Sequence, residues 1–420
     1  MQEIWIMGEI LVEIMRTHPD MPLSLPGPFQ GPFPSGAPAI CADTIARLGH
    51  RCAIVGGIGA DDFGACVLSR LQKDGVDTSH VLFDHTGSSA CAFVTYFSDG
   101  SRKFIFHLNN TPAVRAVAPD EAVFKGCRYF HIMGCSLTAN HAFGREIIIA
   151  MERARRQGAK ISFDPNIRPE LLHNAESLAL VREVLRHTSI FLPGREELLL
   201  LTGEHTTPRS VKRCFENPVL EILALKNGAK GCTVYSRSQV LSMGVYPVVS
   251  IDATGAGDCF DGAFLCGLLE GRPLSETLKL ASAAGALNTA AFGPMEGAIS
   301  PAALQTLIKL HPYIAVQAQP VQKHLFLIRW EKLHLQNSYK TVTIKPSSRD
   351  STPIALHRKA RRPVACRPFI LHDSSLSDRP PERTDAHKIK VLAAHVSPTG
   401  RPACMCNQTV TAKGGFTNVL

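Results

Sequence analysis

No stretch of this chain approaches the ~18 consecutive apolar residues that a membrane-spanning helix requires, so a membrane partner is not expected. The first residues, Met1 to Glu9, carry acids where a secretory leader would carry bases, and they read as the opening strand of a mature, cytoplasmic protein. The 13 cysteines lack the spacing of a disulfide framework, which predicts reduced thiols buried as small apolar groups. Cys404 and Cys406 are too close together and too isolated for a metal site. Aromatic residues make up only 7% of the chain, yet 45% hydrophobic content over 420 residues suffices for one large α/β domain plus extra material.

Residues 1–310 also lack a charge bias, with 28 Lys+Arg against 30 Asp+Glu. The formal net charge of +9 therefore comes from residues 311–420, which hold 17 basic and 6 acidic side chains. That segment has ten of the 28 prolines and no sustained hydrophobic period, so it reads as a largely disordered tail with a short helix or strand near 322–335. The basic run at 358–362 lacks the interleaved aromatics of a nucleic-acid module. A solvated linker is the better reading, and nucleic acid is not an expected partner.

What is present is a regular alternation. Residues 4–12 read as one strand, 39–48 as a helix ended by Gly49, 52–57 as a buried strand, and Asp61-Asp62 as the start of a helix running toward Lys73. Residues 91–97 and 102–108 are rich in aromatic and β-branched side chains and flank Ser98-Asp99-Gly100-Ser101, a hairpin signal. Strands are then predicted at 129–133, 160–164, 189–192 and 221–226, with helices near 141–157, 256–269, 275–291 and 301–309. Such alternation implies parallel strands with helices on both faces, whose ligands bind at the carboxyl ends of the strands. The hairpin does not fit that layer and is expected to project as a small lid.

The most specific chemistry lies in Asp252-Ala253-Thr254-Gly255-Ala256-Gly257-Asp258, followed by the apolar stretch Cys259 to Leu269. Two glycines around an alanine let successive N–H groups turn onto one point, and the helix that follows adds the positive end of its dipole. The loop is a trap for an anion. Asp258 at the helix start is either a plain capping residue or a base that takes a proton from an attacking hydroxyl. The full string favours the base.

Two sets of residues together resemble the PfkB (ribokinase-like) carbohydrate kinases over residues 1–310. One runs from Gly36-Ala37-Pro38-Ala39 through Ala46-Arg47-Leu48-Gly49 to 55–64; the other is the loop from Asp252 to Asp258. The resemblance implies a three-layer αβα sandwich with a mostly parallel sheet and a small β lid built from parts of 10–35 and 90–110. It also implies ATP-dependent phosphorylation of a sugar hydroxyl with Mg²⁺. Asp258 would be the base, and Gly255, Ala256 and Gly257 the anion hole. Lys226, Gly228, Gly231, Thr254 and Asn288 would serve the nucleotide. Glu197 would act on Mg²⁺ through water, and Asp252 on a monovalent cation such as K⁺ behind the loop. Glu13, Gly36, Ala37, Ile40, Phe106, His107, Asn166 and Arg168 would face the sugar. The chain departs from the family at Gly194 and Ile40, where relatives carry asparagine.

Local strings resemble one branch, the tagatose-kinase-like sugar kinases: residues 27–33 ahead of 35–40, then Met133-Gly134-Cys135-Ser136-Leu137, then 293–297. They imply a ketohexose phosphorylated on its primary C6 hydroxyl. A 2-keto-3-deoxygluconate kinase or a fructokinase is the alternative, and an inactive sugar- or nucleotide-binding relative the reading from another class. The family also implies a dimer through the lid.

Overall fold

The computed structural model describes residues 1–99, 101–168 and 175–319. The run at 358–362, the element expected near 322–335 and the last two cysteines lie outside the described residues. In the first half of the chain β1 (Ile4–Met7) is followed by β2 (Leu11–Arg16), β3 (Phe29–Ser35), α1 (Ala37–Arg47), β4 (Cys52–Gly59), α2 (Asp62–Asp74), β5 (Asp77–Asp84), β6 (Ala90–Tyr96) and β7 (Arg102–His107). The second half runs β8 (Tyr129–Met133), α3 (Gly134–Ala139), α4 (His141–Arg156), β9 (Lys160–Asp164), α5 (Ala175–His187), β10 (Thr188–Phe191), α6 (Arg195–Thr202), α7 (Thr207–Cys214), β11 (Ile222–Lys226), β12 (Cys232–Ser236), β13 (Val240–Met243), α8 (Ala256–Leu269), α9 (Leu274–Thr289), α10 (Pro301–Leu310) and β14 (Gln317–Gln319).

Ten strands form the central sheet in the spatial order β14-β13-β12-β11-β10-β9-β8-β1-β4-β5. The seven from β11 to β5 pair in parallel, and β12, β13 and β14 extend the edge antiparallel. Every residue of β1, β4 and β8 is buried, as a strand covered on both faces must be. Helix α1 packs on β1, β4 and β8, and is joined to α8 and α9, while α4 packs on β8 and β9 beside α3 and α5. The result is a ribokinase-like three-layer αβα sandwich.

The chain runs from β1 outward to β4 and β5, then returns to β8 on the other side of β1. The strand order therefore reverses between β1 and β8, the place where open α/β sheets bind ligands.

The expected single strand over 4–12 is two strands in different sheets. β1 lies in the central sheet, while β2 pairs with β3 and β6 in a separate four-stranded sheet ordered β3-β2-β6-β7. The break falls at Gly8, where a Cβ would lie 2.3 Å from Pro38 and 2.4 Å from Ser136 Oγ. No alternation rule sees that crowding, because it comes from α1 and α3. The hairpin expected at 91–108 forms as β6 and β7, and with β2 and β3 it makes the small β sheet. No helix among the described residues is long and apolar enough to cross a membrane. The ten cysteines of the described residues are unpaired.

Candidate active site

At the reversal point, the segment after β1 supplies Glu9 and the first turn of α3, which follows β8, supplies Cys135. Both line a pocket with Leu11 and Glu13 from β2, Arg102, Phe104 and Phe106 from β7, Gly36, Ala37 and Ile40 at the start of α1, Arg168, and Thr254, Gly255 and Asp258 from the glycine-rich loop. The small sheet thus forms one wall and the strand ends of the large sheet the other.

The glycine-rich loop turns tightly into α8. Gly255 is the residue before α8 and adopts φ +74°, a left-handed conformation that glycine enters without penalty. A Cβ there would also lie 2.4 Å from the Pro294 carbonyl oxygen and 3.2 Å from Ile40 Cγ2. At Gly257 the nearest atom to an added Cβ is Lys226 Nζ at 3.8 Å, so the space beside this turn of helix is open to a ligand.

Asp258 stands in the first turn of α8 and is 6% exposed. Burial, reinforced by the nearby Asp164 carboxylate, raises its pKa to about 6, while Arg168, Lys226 and Arg102 pull the other way. Such a value suits a base that works near neutral pH. Asn166 Nδ2 donates to Asp258 Oδ1 at 2.9 Å, and the Asn166 N–H donates to Asp164 Oδ1 at 3.0 Å. Asn166 holds this position at φ +38°, rare for a residue with a side chain. Its Nδ2 therefore orients the Asp258 carboxylate, while its Oδ1 is buried without a partner.

Glu13 accepts a hydrogen bond from Ser35 Oγ at 2.7 Å through Oε1, while its Oε2 is buried with no partner. Burial pushes its pKa up to about 7, with Asp252 adding to the rise. Glu9, absent from the sequence-based expectations, is buried with its carboxylate receiving Cys135 Sγ–H at 3.1 Å and the Ser136 hydroxyl. Its desolvation raises the pKa as well. The pocket carries three carboxylates against two guanidinium groups, Arg102 and Arg168, both of which approach the Phe104 ring.

On β7 the pleat decides which residues face the pocket. Arg102, Phe104 and Phe106 share one face. His107 lies on the opposite face, exposed and edge-on to Phe93, so it does not line this pocket. Arg102 and Phe104 were legible from the same period of two once Phe106 was chosen. Glu9 carried a weaker signal, an acid directly after a glycine at the end of the first strand.

Several other expected site residues sit elsewhere. Lys226 at the end of β11 turns its amine inward, 2.8 Å from Asp164 Oδ2 and 3.0 Å from Asp261 Oδ2. A turn follows it whose residues 228–230 are exposed, with Gly228 at φ +54°; Gly231 (φ +87°) closes it buried, where a Cβ would meet the Met243 carbonyl oxygen at 2.0 Å. Glu197 caps α6: its Oε2 accepts the Gly194 N–H at 2.7 Å, and its Oε1 accepts the Ile167 N–H at 2.7 Å. Because Glu197 uses the backbone of residue 194, the missing asparagine side chain does not disturb that link. Asn288 is fully buried beneath the loop.

A contact between the small sheet and the glycine-rich loop crosses the site. The Thr254 hydroxyl donates to Asp252 Oδ1 at 2.6 Å and is met by the Tyr96 hydroxyl from the end of β6. With its proton committed to Asp252, Thr254 Oγ1 accepts from Tyr96. Tyr96→Phe, which deletes one neutral hydrogen bond worth about 0.5–1.5 kcal/mol, is expected to lower kcat/KM by about two- to tenfold. An unchanged kcat/KM would show that the latch does not position the loop.

Residues 20–301 match the description "pfkB family carbohydrate kinase". A curated relative, "Probable fructokinase-4" of Arabidopsis thaliana, is 33% identical over 314 residues, covering 72% of this chain and 95% of the relative. The solved structure of a "putative Ribokinase II in complex with ATP and Mg+2" from E. coli is 37% identical with a TM-score of 0.70, over 74% of this chain and 100% of the other. A fructokinase from Vibrio cholerae O395, solved with fructose, ADP and a potassium ion, is 25% identical with a TM-score of 0.64, over 73% of this chain and 98% of its own. These relatives carry the names fructokinase and ribokinase, so the finer resemblance to tagatose kinases rests on the short local strings alone. This chain belongs to the pfkB family of carbohydrate kinases and is an ATP-dependent sugar kinase.

Proposed function

We propose that this kinase phosphorylates the terminal primary hydroxyl of a ketohexose, with fructose the first candidate and tagatose the second. The observation that carries the reading is the unpartnered, buried Oε2 of Glu13 in the same pocket as Asp258. An acceptor left without a donor in a buried site is costly unless a ligand supplies one, and a polyol has hydroxyl donors to offer. Leu11, Ile40, Phe104 and Phe106 supply apolar surface for the carbon side of such a ligand. The fructokinase relatives support fructose over tagatose.

In the proposed reaction the sugar hydroxyl lies against Asp258, which Asn166 orients and which accepts the proton as the oxygen attacks the γ-phosphorus of ATP. The bond to the β-phosphate oxygen breaks and ADP leaves. The N–H groups of Gly255, Ala256 and Gly257 receive the charge that develops on the transferred group, and Arg102 and Arg168 lie close enough to the base to share in neutralising it. Mg²⁺ bound with ATP would supply positive charge beside its phosphates. Glu197 has both oxygens occupied by backbone N–H groups, which leaves it contact with the ion through water.

A second reading, 2-keto-3-deoxygluconate, is favoured by one observation: two guanidinium groups line the pocket, and arginine suits a substrate carboxylate. ADP release coupled to a visible readout, with fructose, tagatose and 2-keto-3-deoxygluconate in parallel, separates these readings. The highest kcat/KM is expected with fructose. A clear preference for the sugar acid would replace the ketohexose reading. No turnover with any sugar, alongside measurable ATP binding, would point to an inactive relative.

A further inference from the structure

Family resemblance assigns Asp252 to a monovalent cation, and the similar Vibrio fructokinase was solved with potassium. Potassium is held by oxygen atoms, commonly backbone carbonyls, that replace its water shell. Beside Asp252, two such oxygens, the carbonyls of Thr254 and Pro294, are already occupied by a donor of the chain itself. Asn288 Nδ2 donates to the Thr254 carbonyl at 2.7 Å and to the Pro294 carbonyl at 3.0 Å. One nitrogen thus bridges the phosphate loop and the turn at 293–297, and an ion shared by those two oxygens would have to displace it. The fit is close, since a Cβ on Gly255 would lie 2.4 Å from the Pro294 oxygen and 3.1 Å from Asn288 Nδ2.

The rest of that turn is held in the same manner. The Met295 carbonyl accepts Arg47 Nη1–H at 3.1 Å and an N–H of Arg70, and the Gly297 carbonyl accepts Arg47 Nη2–H at 2.6 Å. Asp43, Asp74 and Glu296 pair with these guanidinium groups and keep them in place. Asp252 Oδ1 accepts the Thr254 N–H at 2.9 Å and its hydroxyl at 2.6 Å, and Oδ2 accepts the Gly293 N–H at 3.0 Å. The carbonyls of Thr254, Pro294, Met295 and Gly297 are thus each met by a side chain of α1, α2 or α9.

We propose that the Asn288 amide, with the guanidinium groups of Arg47 and Arg70, takes the place of a monovalent cation behind the phosphate loop, so that this kinase works without potassium. The donor set here does not fit the ion that the resemblance implied at Asp252. Helix α9 ties the loop to the 293–297 turn directly.

The test uses the full-length protein in potassium chloride and in choline chloride at equal ionic strength, with MgATP and a ketose that gives turnover. The thermal midpoint is measured in the same two salts without substrate. The expected result is kcat/KM within about twofold and midpoints within about 1 °C, because a ligand that does not bind the native state cannot stabilise it. A potassium-dependent rise beyond those limits in either readout overturns the proposal. Asn288→Ala, which removes the amide, is expected to gain a potassium response of about fivefold in kcat/KM and a potassium-dependent rise in midpoint of several degrees. A folded variant indifferent to potassium would overturn the amide's role, and the wild-type comparison decides the question of dependence if the variant does not fold. The thermal arm needs no sugar: failure of the sugar-kinase substrate reading shows as no turnover in either salt, whereas failure of this inference shows as a difference between salts.

Discussion

Replacing Asp258 by asparagine is expected to lower kcat by about 10²–10⁴-fold, the span that a positioned general base contributes, while ATP binding and the fold persist. The same substitution is expected to stabilise the protein. Folding raises the Asp258 pKa from 3.8 to about 6 through burial and the Asp164 charge, so the folded chain binds more protons than the unfolded one between those values. Ionising Asp258 therefore costs stability as pH rises through that window, and the whole cost is present at neutral pH. Asparagine removes it, a gain on the order of 2 kcal/mol, or several degrees in Tm. For the wild-type enzyme, kcat/KM is expected to rise with pH through about 6, as the base loses its proton. Melting curves and pH profiles check both halves. A variant that keeps a tenth of the activity would mean that another group takes the proton.

Lys226→Met is expected to cost about 3–5 kcal/mol of stability, because it leaves buried charge without its counterion. Asp164 and Asp261 side chains are 4% and 0% exposed, and the Lys226 amine stands between them. The amine holds the Asp164 pKa down, whereas burial drives that of Asp261 well up. Asp164 is thus the ionised partner at neutral pH. In the wild-type protein its depressed pKa contributes stability above its unfolded value, lost as pH falls through the folded one. Without Lys226 the sign reverses: the lone Asp164 charge is costly, and the variant is expected to gain stability as pH falls toward about 5. Urea unfolding at pH 7 and pH 5 measures this directly, and Asp164→Asn in the same chain should restore much of the loss. A cost below about 1 kcal/mol at pH 7 would place the lysine in solvent, as a strand-end residue serving only the nucleotide.

These two residues also show how far a sequence can be read. Asp258 was legible because glycine spacing, helix start and carboxylate all fall within seven residues, and local backbone geometry acts at that range. Strands β8 to β11 and helices α4, α8, α9 and α10 were legible for the same reason, their apolar periods and caps being local, whereas α3, α6, α7 and β12 to β14 were not foreseen. Lys226 was read as a nucleotide contact because its turn with Gly228 and Gly231 is local, but its partners come from β9 and α8, 62 and 35 residues away. Glu197 shows a similar limit, since half of its role is to hold Ile167 across the gap between two strand ends.

The substrate side depended on the third dimension still more. Glu9, Arg102 and Cys135 meet at the pocket only because the strand order reverses between β1 and β8 and the small sheet folds over that point. His107 was excluded by the pleat of β7, and the break of the first strand at Gly8 was set by Pro38 and Ser136 pressing on it. The Asp252–Asp258 loop and the alternation of elements settled family and reaction class, because turn chemistry and periodic burial are written in neighbouring residues. Which carboxylate is left without a partner, which lysine is buried in charge and which amide closes the gap behind the loop were decided by tertiary packing, because each depends on distances between side chains far apart in the chain.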